Sequence, residues 1–557
     1  MAGYVTFVGP PDEKVKHLLK SAGILTFGTV TEPKLVIATN ESVLQGLPQR
    51  VAGSSACVVL YGRFTVASVE KIVKEHGKDY NITVVSSLHG PEQLNVVSGY
   101  HAAELNSVLN AFGKHEYLGS NPVWAAMLSL TERHLYAVQT ILAAESLAIG
   151  AKAGLDTQIL YDAICGVAGS SWALKSCGPD MLHASESTAG VTVEAALADL
   201  TESCLSAKTY ALQMPLASMS RQLLVTAGSL GLARKNIAAV AKVYSQLGHI
   251  CLAPTGSKSS QLATCTAKPN KVAFIGLGAM GLGMANVLLQ AGFNVHGFDV
   301  YPPSIDKFIA MGGKGSSNIA EAVKGAEVVV LMVVNAVQAA DVLFRLGAAN
   351  AMSPGAVICL MSTVSPSAAI ELDAKVQALG LGLGFIDCPV SGGTSRAAIG
   401  DLTILASGRD KDVTTALAVL QALSGAKGNN SNLFVVDGGV GKGSAVKLVN
   451  QHLAATQIIS TAEALALVAE QGIPLKHAHT ILQRSAGNSW MLGDRGGKML
   501  AGLITPPTST VTIFVKDASI VVDEAQLLGV PAFMAVTAQQ QFIAGVARGW
   551  GGHDDSR

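Results

Sequence analysis

The sequence has few charged residues, few aromatic residues and no net charge. Only 14% of its 557 residues are charged, 39 Lys and Arg balance 39 Asp and Glu, and aromatic residues make up 5%. A chain without excess positive charge lacks the electrostatic basis for binding a polyanion, and few aromatic rings give no stacking platform for single-stranded bases. Because 49% of the residues are apolar, long disordered segments are not expected either. The composition favours a soluble enzyme over a nucleic-acid-binding protein.

Signals for secretion, membrane insertion and metal binding are also lacking. The N-terminal MAGYVTFVGPPDEK has neither a basic segment nor a continuous apolar run, and no uninterrupted apolar stretch reaches about 18 residues. Eight cysteines without a CxxC pair or a His/Cys cluster indicate neither a disulfide framework nor a zinc site. We therefore predict a cytoplasmic protein with no metal and no membrane association.

The two halves of the chain share a sequence pattern. Residues 168–172 (AGSSW) match residues 486–490 (AGNSW), an offset of 318 in residue number (490 − 172). The same offset, called the repeat offset below, aligns Asp199 with Asp517. A repeat of this length indicates duplicated domains and not a solenoid. Between the copies, residues 253–270 are rich in Ser, Thr and Pro and poor in large apolar residues, which is typical of a linker.

Within the second half, short apolar runs alternate with helical stretches over residues 271–436. The predicted strands are 271–275, 294–298, 327–334, 357–361 and 384–387. This alternation predicts a doubly wound parallel sheet of the Rossmann type. Helical periodicity then dominates, and the predicted helices are 444–471, 475–484, 512–528 and 531–548.

The first half shows the same order of elements. We therefore predict a fold of the α/β plus all-α class, in which a Rossmann-like doubly wound domain followed by a helical domain occurs twice in tandem. The predicted domains are a degenerate Rossmann-like domain at 1–120, its helical domain at 121–252, the linker at 253–270, an NAD-binding Rossmann domain at 271–438 and a helical substrate and dimerisation domain at 439–557.

A glycine-rich loop follows the predicted strand at 271–275 and opens a predicted helix. The loop consists of Gly276, Leu277, Gly278, Ala279, Met280 and Gly281. In this context the three glycines provide the tight turn, the approach for a pyrophosphate and the close helix–strand packing of a dinucleotide site. Asp299 ends the next strand, where a carboxylate can accept both ribose hydroxyls of NAD and would repel a 2′-phosphate. We therefore predict NAD as the cofactor, with NADP disfavoured.

Two further motifs contain groups that could bind a substrate. Ser391, Gly392 and Gly393 could present a hydroxyl and consecutive N–H groups to a carboxylate, although an ordinary turn explains the spacing equally well. Lys447 has amide side chains three and four residues later, on the same helical face, so the group could hold a substrate oxygen, although a lysine taken in isolation is more often a surface residue. Lys442 lies off that face and is predicted to be a surface lysine.

Taken together, the motifs GLGAMG, DCPVSGG, GKGSAVKLVNQ and IFVKD resemble those of the β-hydroxyacid dehydrogenase family over residues 270–548. The segments LTILASG and AGNSWML are most similar to the L-threonate dehydrogenase branch, and the tandem arrangement resembles fused family members. The resemblance implies NAD-dependent oxidation of a small hydroxycarboxylic acid, similar to L-threonate or 3-hydroxyisobutyrate, with Lys447 as the catalytic acid and base. The other implied site residues are Ser391, Gly392, Gly393, Asn450 and Gln451 for the substrate and Thr363 and Lys516 for the cofactor. The residue four after the lysine is often Asn in this family, whereas here it is Gln451.

The first half lacks these groups. At the repeat offset, the positions of the catalytic lysine, the amide three residues on and the cofactor lysine are occupied by Ser129, Glu132 and Ala198. Pro10 and Pro11 remove backbone donors that a phosphate-binding loop would need. We therefore predict that the first half is a degenerate copy and that the chain forms a pseudo-dimer with itself, while further homo-oligomerisation stays open.

Alternatives from other functional classes remain. The chain could reduce a small semialdehyde, or a ketone or imine of specialised metabolism, and retention of the Ser-Gly-Gly sequence argues against the ketone or imine reductase. It could also be a non-catalytic NAD-binding regulatory protein, but the intact Lys447 and the glycine loop argue against this.

Overall fold

The computed structural model describes residues 5–7, 15, 17, 35–39, 57–78, 80–102, 105–184, 187–256, 268–425, 432–502 and 504–557. Pro10, Pro11 and most of the predicted linker lie outside the described residues. The strands are β1 (Val5–Phe7), β2 (Leu35–Ala38), β3 (Cys57–Tyr61), β4 (Asn81–Ser87), β5 (Asn95–Gly99), β6 (His115–Gly119), β7 (Val272–Ile275), β8 (Val295–Phe298), β9 (Lys314–Gly315), β10 (Val328–Leu331), β11 (Val357–Leu360), β12 (Gly384–Asp387), β13 (Val390–Ser391), β14 (Thr403–Gly408) and β15 (Leu433–Val435).

Helices follow the strands within each half and dominate its second part. They are α1 (Val66–His76), α2 (Asn106–Ala111), α3 (Val123–Lys152), α4 (Thr157–Cys165), α5 (Trp172–Leu182), α6 (Val193–Thr209), α7 (Pro215–Ala227), α8 (Ala241–Gly248), α9 (Ala279–Gln290), α10 (Pro302–Ala310), α11 (Ile319–Val323), α12 (Ala336–Ala340), α13 (Ala348–Ala351), α14 (Pro366–Ala378), α15 (Gly393–Ile399), α16 (Asp410–Ser424), α17 (Lys442–Glu470), α18 (Leu475–Leu482), α19 (Trp490–Ala501), α20 (Val511–Leu527) and α21 (Phe533–Ala547). Short turns of wider or tighter helix occur at Gly228–Leu232, Ile237–Val240 and Asp341–Arg345.

The second-half sheet has the strand order β13-β14-β12-β11-β10-β7-β8-β9, with β15 beside β14. Strand β10 shows why it forms, because Val328 and Val330 pack into the core on one face while Val329 and Leu331 pack into the core on the other. A strand buried on both faces must be apolar throughout. The chain order reverses between β7 and β10, and the carboxyl ends of strands at such a point are where doubly wound sheets bind ligands.

This sheet is mixed, which differs from the parallel arrangement that the alternating pattern predicts. Strand β14 runs antiparallel to β12 and β13 and parallel to β15. The first-half sheet, ordered β1 to β6, ends in the same way, because β5 is antiparallel to β4 and parallel to β6. The Rossmann-like sheet therefore occurs twice.

The helical region also occurs twice, in nearly the same register. Helices α4, α5, α6 and α7 begin at residues that the repeat offset aligns with the first residues of α18, α19, α20 and α21. Their N-terminal caps are repeated as well, since Ser171 Oγ accepts a hydrogen bond from the backbone N–H of Leu174, and Ser489 Oγ accepts one from that of Leu492. These repeated helices establish the tandem fold, while the residue numbers given above for the domain boundaries stay predictions.

The two long helices α3 and α17 pack against each other at the centre of the molecule. Both are buried on almost all sides, which explains their apolar composition. Helix α17 is long and apolar enough to cross a membrane, but 78% of its most apolar window is buried inside the protein, as in a core helix.

Contacts between the halves are reciprocal. Gln139 Nε2 donates to the carbonyl of Gly487 at 3.0 Å, and Gln457 Nε2, its equivalent at the repeat offset, donates to the carbonyl of Gly169 at 2.8 Å. A contact in which each copy offers the same group to the same position of the other is the signature of a two-fold interface.

Buried carboxylates repeat this relation at the starts of two helices. Glu145 accepts hydrogen bonds from the backbone N–H groups of Met534 and Ala535, and Glu463 accepts them from those of Leu216 and Ala217. Each glutamate lies on the long helix of one half and caps a helix of the other half by accepting its first free N–H groups. The interface is thus two-fold at these glutamine and glutamate contacts.

Candidate active site

The glycine loop between β7 and α9 has the geometry of a phosphate-binding turn. Gly276 has φ 96°, and a Cβ at this position would overlap the carbonyl of Met332. A Cβ on Gly281 would overlap the carbonyl of Gly276, whereas a Cβ on Gly278 would meet nothing within 4 Å. Two glycines are thus required by packing, and the third leaves open space at the N-terminus of α9. This cradle fits a dinucleotide pyrophosphate.

Asp299 stands immediately beyond the end of β8 and is bonded to this loop. One carboxylate oxygen accepts the N–H of Leu277 at 2.6 Å and the other accepts that of Tyr301 at 2.8 Å. The carboxylate is half-buried, and each oxygen retains a lone pair for a further donor. Its position and remaining acceptors fit the ribose hydroxyls of NAD.

The helix that carries Lys447 is anchored to the sheet by Asp387, a residue to which the sequence analysis gave no role. Asp387 ends β12, is fully buried, and accepts the backbone N–H and the hydroxyl of Ser444, both at 2.7 Å. Burial raises the pKa of Asp387 to about 6, although its hydrogen bonds with Ser444 oppose the rise. One feature of the sequence pointed to such an anchor: Gly441, which precedes the helix, has no side chain to cap it, so another group must accept the first N–H groups.

Lys447 lies on the second turn of α17 and is 5% exposed. No side chain or backbone group in the described ranges forms a hydrogen bond or ion pair with its Nζ. Burial lowers the pKa of Lys447 from 10.5 to about 8; the positive charge of Lys516 adds to this fall and the negative charge of Asp517 opposes it. The amine can therefore exist in both protonation states near neutral pH.

The amides beside Lys447 form a chain of hydrogen bonds. Asn450 Nδ2 donates to Gln451 Oε1 at 3.1 Å, and Gln451 Nε2 donates to Asp517 Oδ2 at 2.5 Å. Asn450 Oδ1 accepts the backbone N–H of Gly169 from the first half of the chain at 3.0 Å. The sequence correctly placed these amides on one helical face, but it gave no sign of Gly169, which is 281 residues away.

Lys516 joins the helical region to the Rossmann sheet. Its Nζ lies 2.8 Å from Asp517 and donates to the carbonyls of Thr363 at 3.3 Å and Val334 at 3.5 Å. Thr363 and Val334 follow β11 and β10, at the carboxyl edge of the sheet. Lys516 and Thr363 thus meet at the edge where the glycine loop also lies.

The Ser391 loop connects β13 to α15. Gly392 has φ 141° and Gly393 has φ 67°, so two successive residues adopt a conformation that favours glycine. A Cβ on Gly393 would lie 3.7 Å from Thr508 Cγ2, which places the loop next to the connection between α19 and α20. Among the described residues no hydrogen bond joins Ser391 to Lys447 or Asn450.

In the first half, an ion pair between Arg133 and Asp199 occupies the positions equivalent to Gln451 and Asp517. Arg133, the equivalent of Gln451 at the repeat offset, donates from Nη1 to Ser129 Oγ at 2.6 Å and from Nε to Asp199 Oδ1 at 2.9 Å. Ser129 stands where the second copy has Lys447. This part of the first half holds an internal salt bridge and no amine poised for proton transfer.

Glu132 replaces the amide of Asn450 in the first half. It is 1% exposed, burial raises its pKa, and its carboxylate lies 3.5 Å from His89 Nδ1. The second copy thus has an amide donor where the first copy has a carboxyl group.

Lys442 differs from its predicted role as a surface lysine. Its Nζ donates to the carbonyl of Ala153, at the end of α3, at 2.7 Å. Lys442 is half-buried and binds the end of the opposite long helix. The sequence could not show this because Ala153 belongs to the other half.

Comparisons with known proteins agree with this architecture. A family model described as the NAD binding domain of 6-phosphogluconate dehydrogenase matches residues 271–436. A second, described as NAD-binding of NADP-dependent 3-hydroxyisobutyrate dehydrogenase, matches 129–244 and again 441–557, which are the two helical regions.

Curated relatives match about half of the chain. L-threonate dehydrogenase of Cupriavidus necator is 40% identical over 51% of this chain and 93% of its own length. NAD-dependent L-serine dehydrogenase of Pseudomonas aeruginosa is 35% identical over 40% of this chain and 72% of its own. Mitochondrial 3-hydroxyisobutyrate dehydrogenase of Mus musculus is 29% identical over 54% of this chain and 90% of its own. The chain belongs to the β-hydroxyacid dehydrogenase family of NAD-dependent oxidoreductases.

Proposed function

We propose that the chain oxidises a small hydroxycarboxylic acid at a single site in its second half, with Lys447 as the catalytic acid and base. The observation that supports this most directly is the buried Lys447 amine, which has a pKa of about 8 and no bonded partner among the described residues. A general base works best when its pKa lies near the working pH. In oxidation the neutral amine takes the hydroxyl proton of the substrate.

The cofactor-binding roles fall to residues at the carboxyl edge of the second sheet. The loop from Gly276 to Gly281 would hold the pyrophosphate, Asp299 the ribose, and Thr363 and Lys516 the nicotinamide end. Bound NAD supplies the hydride acceptor for the oxidation. The chain itself binds and orients the cofactor, and Lys447 moves the proton.

The substrate is proposed to bind through its carboxylate. Ser391, Gly392 and Gly393 offer a hydroxyl and backbone N–H groups in a loop with two positive φ angles, a nest suited to an anion. Asn450 and Gln451 would orient the hydroxyl-bearing carbon beside Lys447. L-threonate, L-serine and 3-hydroxyisobutyrate, which the relatives' names give, are all small hydroxycarboxylates, and we extend that substrate class to this chain.

The reverse reaction is a second candidate, and the same lysine favours it. With a pKa of about 8, about nine-tenths of the Lys447 amine is protonated at pH 7. An ammonium group can donate its proton to a carbonyl oxygen as a semialdehyde is reduced. The direction of use is thus set by pH and by the supply of substrates. We also propose that the chain is a pseudo-dimer, which its reciprocal interface supports, and that it is cytoplasmic.

The test is a nicotinamide absorbance assay on the purified chain with NAD and with NADP. The panel is L-threonate, D-erythronate, D-glycerate and 3-hydroxyisobutyrate. We expect NAD-dependent turnover of one acid, lost in Lys447→Met and retained in the matched variant Lys442→Met on the same helix. Failure to bind either cofactor would contradict the proposal, and NAD binding without turnover of any acid would shift it to semialdehyde reduction.

A further inference from the structure

The loop at residues 168–171 of the first half holds a residue of the candidate active site in the second half. Two side chains of α17 form hydrogen bonds with the backbone of Gly169. Its N–H donates to Asn450 Oδ1 at 3.0 Å, and its carbonyl accepts from Gln457 Nε2 at 2.8 Å. Asn450 and Gln457 are separated by two helical turns and therefore lie on one face of the helix.

At the two-fold equivalent position, Gly487, only one of the two hydrogen bonds is formed. The carbonyl of Gly487 accepts from Gln139 Nε2 at 3.0 Å, but the N–H of Gly487 donates to Ser485 Oγ at 3.2 Å within its own loop. Glu132, which stands at the position of Asn450, is directed to His89 instead. The loop of the first half therefore reaches into the site of the second half, whereas the loop of the second half makes no such bond.

The Gly169 contact determines which way the Asn450 amide faces. Asn450 is 1% exposed, so its oxygen cannot exchange this N–H for water. If the amide were flipped, Nδ2 would face the N–H of Gly169, and two buried donors would be left without acceptors. In the observed orientation Nδ2 donates one hydrogen to Gln451 Oε1, and no acceptor among the described residues takes the other.

We propose that the degenerate first half positions the active site of the second half, with Gly169 as the positioning residue that presents the second Nδ2 hydrogen of Asn450 to the substrate. The inference rests on the proposed function, because it requires Asn450 to bind the substrate. It assigns a role in catalysis to a half that has no catalytic group of its own. The first half acts through one backbone N–H.

Two pairs of variants test this, and each pair changes equivalent residues on the two sides of the interface. Gly169→Ala would place a Cβ 2.9 Å from Leu453 Cβ and 3.3 Å from Asn450 Oδ1, whereas Gly487→Ala would place one 3.2 Å from Leu135 Cβ and 3.3 Å from the carbonyl of Glu132. The crowding is greater at Gly169, where a neighbour must shift, and only this change moves the N–H that holds Asn450. We expect Gly169→Ala to lower kcat/KM for the acid about tenfold, the value of one good hydrogen bond, and Gly487→Ala to change it less than twofold.

The second pair of variants removes the glutamine hydrogen bonds to the loop carbonyls without adding bulk. Gln457→Met frees the carbonyl of Gly169, and Gln139→Met frees that of Gly487, at two glutamines that are 0% and 1% exposed. Both should lower the melting temperature by similar amounts, but only Gln457→Met should lower kcat/KM, while the KM for NAD stays unchanged. Equal kinetic losses within a pair, or none in either Gly169→Ala or Gln457→Met, would overturn the inference. An inactive wild-type chain would instead contradict the proposed function, on which the inference depends.

Discussion

Replacing Lys447 by methionine should abolish turnover and at the same time stabilise the folded chain. Lys447 is 5% exposed, and burial lowers its pKa from 10.5 to about 8. At about 1.4 kcal/mol per pKa unit, holding the ammonium form in the folded state costs about 3 kcal/mol at neutral pH. Methionine has a similar length and carries no charge, so it removes this cost while keeping the apolar contacts.

The dependence on pH distinguishes this effect from a simple packing gain. Because the folded pKa lies below the unfolded one, the folded state binds fewer protons between pH 8 and pH 10.5, and the wild-type chain regains its stability as the pH rises through this window. The advantage of Lys447→Met should therefore be about 3 kcal/mol at pH 7, about 2 kcal/mol at pH 9 and below about 1 kcal/mol at pH 10.

Melting curves of wild type, Lys447→Met and Lys442→Met at these pH values provide the assay. Lys442 is on the same helix, but its Nζ donates to the carbonyl of Ala153 at 2.7 Å, so its removal should lower the melting temperature. For oxidation, kcat/KM of the wild type should rise about tenfold per pH unit below pH 8 and then level off. If Lys447→Met is no more stable than the wild type, or its added stability is as large at pH 10 as at pH 7, then the amine is not desolvated and the reasoning is refuted.

Other sites give further predictions. Asp299→Ala should raise the KM for NAD and reduce the preference over NADP in initial-rate assays; unchanged discrimination would mean that another residue sets it. Ser444→Ala leaves the buried carboxylate of Asp387 without one donor, so we expect a loss of about 1–3 kcal/mol in thermal denaturation together with a lower kcat, and an unaltered kcat would show that this anchor does not position the site. Asp199→Asn should weaken the ion pair with Arg133 and lower the melting temperature, while kcat/KM stays within about twofold. A large loss of activity there would contradict the view that the first copy is chemically inert.

Local patterns in the sequence predicted much of this molecule. The five strands predicted in the second half all occur. In three of them, at 271–275, 327–334 and 357–361, four or more consecutive apolar residues identify a strand buried on both faces. The glycine loop was predicted to follow one strand and Asp299 to end the next, and the structure has both in these places. Asp299 also accepts a hydrogen bond from Leu277 of that loop. Both features depend on neighbouring residues along the chain, so the sequence alone carries the signal.

Features that depend on distant pairing were not predictable in the same way. The direction of β14 is set by its neighbours β12 and β15, and nothing in the residues of Thr403–Gly408 distinguishes a parallel from an antiparallel strand. Helix α19 is absent from the predicted helices for a local reason. Its residues Gly493, Gly496 and Gly497 weaken the helical signal, although Ser489 caps its first turn. The anchoring of α17 by Asp387 likewise joins residues far apart in the chain.

The way the two copies differ follows from what each contact requires. A two-fold interface needs the same residue in both copies, since each copy supplies half of every reciprocal pair, and Gln139 with Gln457 and Glu145 with Glu463 are retained accordingly. A catalytic group serves only the copy that holds it, so Lys447 can be lost from the other copy without weakening the interface. The contact of Gly169 with Asn450 belongs to both classes, because an interface loop touches a site residue. It is therefore the place where a half without chemistry can still control the reaction of the other.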